Sequence, residues 1–131
     1  MKRLLVSSAL ALATLVAGLG QAAADAVRPN QITIVAPTSV RSQIVYDVTV
    51  QGFARRRASA YLFVDYGGCP ASFAAEARRA GHGYDSYPVL GSFAEVSGWK
   101  SSSAGTDHAC AYLVDRSGVQ LASDRISFPI R

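Results

Sequence analysis

Signatures of metal and nucleophile chemistry are what this 131-residue sequence has least of. It carries two histidines, two cysteines and one tryptophan, with no HxH, HExxH or CxxC spacing and no GxSxG elbow. Zinc hydrolysis, thiol–disulfide exchange and α/β-hydrolase chemistry therefore have no signature here, and nothing calls for a cofactor. Charge is sparse as well, at 17% of residues with a formal net charge of +4. Basic residues cluster only at Arg55-Arg56-Arg57 and Arg78-Arg79. Without a long basic stripe, a helix-turn-helix or a stacked aromatic platform, nucleic acid is not an expected partner. Glu76 and Glu95 read as solvated surface charge rather than as a glycosidase pair.

The length allows one compact domain. Residues 1–26 read as a secretory signal. Lys2 and Arg3 precede an apolar run from Leu4 to Leu19, and Ala22-Ala23-Ala24 or Ala24-Asp25-Ala26 supplies a small-residue cleavage site. The run falls short of the roughly 20 residues that span a bilayer, and no cysteine near the cleavage point could take a lipid. The expectation is a secreted, extracellular or cell-surface-associated domain over residues 27–131, with no transmembrane segment after cleavage. That portion has 11 basic and 8 acidic residues. In an oxidising compartment Cys69 and Cys110 are expected to pair, closing a loop worth about 4 kcal/mol in the chain-entropy account.

Period-two patterns dominate the remainder. Gln31 to Ala36 is β-prone and stops at Pro37. From Gln43 to Gln51, Ile44, Tyr46, Val48 and Val50 alternate with Val45, Asp47, Thr49 and Gln51. Gly52 breaks this strand, and the arginine triplet reads as a turn into the next, Ala60 to Tyr66. Both faces of that second strand are apolar, so its outer side is expected to pack against something. Pro70 to Ala80 switches to helical spacing at Phe73, Ala77 and Ala80, with Gly81 as a stop. His82 to Pro88 reads as a loop or short edge strand, Val89 to Trp99 as a strand, and Lys100 to Asp107 as a loop. His108 to Asp115 is a strand, followed by a turn at Arg116-Ser117-Gly118. A terminal strand, bulged near Ser123-Asp124, runs to Ile130, with Pro129 arguing for an edge. Six or seven strands with one helix exclude a parallel α/β fold and predict a mostly antiparallel sandwich or small barrel.

The ending Cys110-Ala111-Tyr112-Leu113-Val114-Asp115, then Gly118, Leu121-Ala122-Ser123 and Phe128, resembles the last two strands of small exported bacterial immunoglobulin-like domains. The resemblance reaches back loosely to the strands at Gln43 and Ala60. It implies a mostly β, immunoglobulin-like antiparallel β-sandwich with one short helix between central strands, and an adhesive, binding or structural role outside the cell. The chain departs from the antibody pattern in that Cys69 follows the second strong strand and Trp99 lies between the cysteines.

Candidate recognition residues are aromatic and basic. Tyr66, Tyr84, Tyr87 and Trp99 combine apolar rings with polar handles, and Tyr84 and Tyr87 are expected to be the exposed pair. Arg55, Arg56 and Arg57 would form a basic hairpin tip facing an anionic partner or protecting a sheet edge. The function expected is non-enzymatic binding of an extracellular protein or cell-surface glycan, or a structural role with self-association through an edge strand. The alternative is a small secreted metal-binding protein or enzyme using His82 and His108, with Asp85 and Asp107 nearby.

Overall fold

Alternating apolar residues do produce strands, but the chain breaks them less often than its glycines and arginines suggest. The computed structural model describes residues 28–65, 67–79 and 83–131. The segment read as a signal, Tyr66, Gly81 and His82 lie outside the described residues. In order come β1 (Gln31–Val35), β2 (Val45–Asp65), α1 (Phe73–Ala77), β3 (Tyr84–Lys100), β4 (Gly105–Asp115) and β5 (Gln120–Ile130). The five strands pair antiparallel in one sheet. The 21-residue β2 is its axis. One edge of β2 carries β3 from Val45 to Phe63, while the other carries β1 on Gln31↔Phe53 to Val35↔Thr49 and then β4 on Ala58↔Asp115 to Asp65↔His108. β5 pairs with β4.

The immunoglobulin-like two-sheet sandwich is therefore not what forms. The arginine triplet does not turn β2 into a second strand; it lies within β2, so both halves of the molecule share that strand. Ala54 pairs with Gly91 and Ala58 with Val89, which sets three residues, Arg55 to Arg57, opposite Leu90 alone. Such a bulge bends and twists its ladder. Gly91, at φ 71°, takes the left-handed conformation that only glycine adopts freely. The β2–β3 ribbon folds over there. Tyr87 Oη donates to Ser97 Oγ at 3.0 Å and Ser97 hydrogen-bonds Asp85. In a straight strand Asp85 and Ser97 would stand roughly 40 Å apart. The product is an open, curled half-barrel.

Its seam closes without a ladder. Ile34 N donates to Asp124 Oδ2 at 2.8 Å, and Val40 makes an isolated parallel bridge to Ile130. Gly52 pairs with Ile32, where a Cβ would overlap the backbone carbonyl of Gln31; this glycine admits β1 rather than ending β2. Similar merging reduces the expected strands to five among the described residues. The segments on either side of Pro88 form β3, and those on either side of Ser123-Asp124 form β5, whose register shift lies instead opposite Leu113 and Val114.

Two apolar clusters result. Inside the curl, Val48, Val50, Ala60 and Leu62 from β2 meet Ala109, Ala111 and Leu113 from β4, with Ile32, Ile34, Phe128 and Ile130 at the flanks. Burying a side chain such as Leu62 or Leu113 contributes about 1.5–3 kcal/mol. On the outer face Phe63, Cys110, Tyr112 and Val114 pack with Tyr61, Cys69 and Phe73. The apolar outer face of the second half of β2 thus has its cover, as the sequence predicts.

That cover is α1, pinned by the Cys69–Cys110 disulfide, whose Cα atoms are 5.4 Å apart. The helix is shorter than the Pro70 to Ala80 pattern. Ser72 caps it, its hydroxyl accepting from Ala75 N at 3.2 Å, and Pro70 lies before the first turn.

Candidate functional site

Because the ribbon folds over, the two ends of β2 line one cavity of about 310 Å3: Tyr46 from its start, Val64 and Asp65 from its end. Trp99 and Lys100 of β3, Ser101, Ser102 and Asp107 complete most of the wall. Period two explains which groups point in. Tyr46 shares its face with Val48 and Val50, and its cross-strand partner is Trp99. Asp107 shares its face with Ala109, Ala111 and Leu113, so this carboxylate sits where the pattern demands an apolar residue; it is 3% exposed.

The polar atoms are unevenly satisfied. Tyr46 Oη donates to Asp107 Oδ2 at 2.9 Å, Ser101 Oγ hydrogen-bonds the same oxygen, and the two hydroxyls lie 3.2 Å apart. The ring of Tyr46 is held edge-on by Phe128, with centroids 5.5 Å apart. Asp107 Oδ1 and Trp99 Nε1 are both buried without a hydrogen-bond partner. One is an acceptor and the other a donor, and each orphan buried group costs about 1–3 kcal/mol while unmatched.

A second polar group lies under α1. Glu76, expected on the surface, is fully buried, and Arg79 reaches back to it at 3.4 Å and to Asp65 at 3.3 Å. Arg79 also donates to the carbonyls of Gly68 and Gly67 at 2.7 and 2.8 Å. Tyr112 Oη donates to Pro70 O at 2.5 Å. Burial, reinforced by the neighbouring Glu76 carboxylate, pushes the Tyr112 hydroxyl up to about 12. These groups fasten the helix to the sheet.

The six recognition candidates among the described residues do not converge. Tyr84 is exposed on the outer face, its ring 5.3 Å from Phe63 and 5.9 Å from Tyr61. Tyr87, three residues on, points to the opposite face and is half-buried against the main core. An odd separation along a strand forces that split. Of the described aromatic candidates, Trp99 alone lines the cavity. Arg55, Arg56 and Arg57 are exposed at the ribbon's bend, Arg56 pairing with Asp115 at 2.8 Å. They form a corner of one strand, not a hairpin tip.

Of the expected shared metal site, His82 lies outside the described residues, and the other candidates are engaged elsewhere. Asp85 engages Ser97, Asp107 engages Tyr46 and Ser101, and His108 Nδ1 lies 2.7 Å from Ser127 Oγ. Among the described residues no group of three His, Cys, Asp or Glu side chains could hold a metal ion. Sequence reasoning missed Tyr46 and Ser101 as site residues and gave Asp107 a different role. The available signal was parity, which places Asp107 on the inward face of an otherwise apolar strand.

No protein-family model matches the chain, and no curated protein matches it in sequence. Solved structures do match in fold. A PKD domain of an M14-like peptidase from a Thermoplasmatales archaeon superposes with a TM-score of 0.53 at 12% identity, covering 79% of this chain and 95% of that one. The sulfur carrier protein SoxY from Chlorobium limicola gives a TM-score of 0.53 at 16% identity, covering 88% and 96%. A CARDB domain from Pyrococcus furiosus superposes more loosely, with a TM-score of 0.41 at 15% identity over 78% and 89%. The chain is a small β-rich domain that resembles distant β-sandwich-like domains. Among the described residues no helix is long and apolar enough to cross a membrane.

Proposed function

We propose that this chain is an exported, non-catalytic binding module that holds a sugar unit of a cell-surface glycan in the cavity between the ends of the folded ribbon. The observation that carries this reading is the pairing of Asp107 Oδ1 with Trp99 Nε1, an acceptor and a donor left buried and unmatched on the wall of one cavity. A sugar presents hydroxyls that both donate and accept, so one small ligand satisfies both. The volume lies at the lower end of the range for small-molecule sites. The disulfide and the signal-like first 26 residues support export.

Trp99 is the sole tryptophan, so intrinsic fluorescence reports the cavity directly. Titration with a panel of neutral and amine-bearing oligosaccharides is expected to give a saturable emission shift that Asp107→Ala abolishes. No shift with any sugar would sink the reading. A second reading, self-association, is favoured by β3, which among the described residues pairs with β2 alone and exposes Leu90 and Val96. Sedimentation velocity across a concentration series tests it, and a concentration-independent monomer would remove it.

A further inference from the structure

Resting on that sugar-binding reading, we infer that the ligand carries a cationic amine: the site takes an amino sugar with a free ammonium group rather than a neutral or N-acetylated one. Asp107 is the reason. Its side chain is nine-tenths buried, yet the ion pairs among the described residues use Asp65, Glu76 and Asp115, and none of the described basic groups pairs with Asp107. A buried carboxylate is costly unless neutralised, and two neutral hydroxyls on Oδ2 do not supply a charge. The second oxygen, Oδ1, is buried and has no hydrogen-bond partner. Lys100, which also lines the cavity, is exposed and makes no ion pair with it.

An ammonium placed on Oδ1 completes the charge, and the neighbouring indole attracts the same cation through its π face. Trp99 Nε1–H then donates to a ring hydroxyl of the sugar. A hydroxyl could occupy Oδ1, but it would leave the carboxylate's charge unbalanced. An acetamide is bulkier and neutral.

The test compares three ligands on the unaltered protein by Trp99 fluorescence: a glucosamine trimer, its fully N-acetylated form and the corresponding glucose trimer. The free-amine trimer is expected to bind at least about tenfold more tightly than either neutral form. Asp107→Asn, which keeps an acceptor for Tyr46 and Ser101 but removes the charge, is expected to erase that preference while leaving the melting curve cooperative. Equal affinity for the three trimers overturns the amine inference and leaves sugar binding standing. Binding of none overturns both. Should the Asn variant fail to fold, the ligand comparison decides alone.

Discussion

At the scale of single residues, two ionisable groups tie the stability of the fold to pH from opposite ends. Tyr112 has its proton held on by burial and by Glu76, so its folded value lies near 12 against about 10 in the unfolded chain. A raised value stabilises the protonated form. The contribution is fully present below about pH 10 and is lost as pH rises toward 12. Absorbance titration of the tyrosinate band should show one hydroxyl ionising only as the protein unfolds, and Tyr112→Phe should remove that late step. Asp115 behaves in the reverse sense. Val119 N and Ser117 N both donate to its Oδ1 at 2.9 Å and Arg56 pairs with Oδ2, which holds its carboxyl below the usual range. Its contribution is present above the unfolded value of about 4 and is lost as pH falls through the lower folded value. Asp115→Asn should lower the thermal midpoint at pH 7 and bring the two proteins closer together under acid.

Elements were legible where their pattern was local and illegible where it depended on contacts far along the chain. The alternation in β2, β4 and β5, the two-faced second half of β2 and the pairing of Cys69 with Cys110 all stand in the sequence. Gly52 and the arginine triplet read as breaks because turn residues usually are breaks; here one glycine makes room for β1 and the triplet is a bulge held in register by β3. Glu76 looked solvated since nothing local announces that Arg79 and the outer face of β4 enclose it. The strap formed by α1 has a measurable consequence. Cys69→Ser/Cys110→Ser should cost about 2–5 kcal/mol of stability in chemical denaturation, with m reporting any added looseness. Amide exchange should accelerate first at Glu76 N and Arg79 N, whose bonds to Ser72 O and Glu76 O hold the helix, before the ladder between β2 and β4 is affected.

For the whole molecule, the sequence made the class of structure readable, mostly antiparallel β with one short helix, and left its closure unreadable. A sandwich and a curled sheet bury the same alternating faces; what separates them is whether one strand continues through the bend, and three exposed arginines opposite Leu90 carry no hydrophobic signal to say so. The candidate cavity is a product of that continuation, because Tyr46 and Asp65 come together only if the ribbon folds over. Its shape therefore depends on the seam on the other side of the curl, where β1 meets β5 through Ile34 N and Asp124 Oδ2 at 2.8 Å and the segment after β1 meets it through the Val40–Ile130 bridge rather than a ladder. Asp124→Ala deletes the acceptor and leaves the Ile34 amide unmatched in a half-buried site, a loss of about 1–3 kcal/mol. If the curl is held in part by this bond, the variant should show faster exchange at Ile34 and at the β1 partners on β2, together with a Trp99 emission shift toward that of a solvated indole. A variant that loses stability without disturbing Trp99 would mean that the cavity is held by the β2–β3 fold alone. The bend at Arg55 to Arg57, and not the seam, would then be the place where mutation alters ligand affinity.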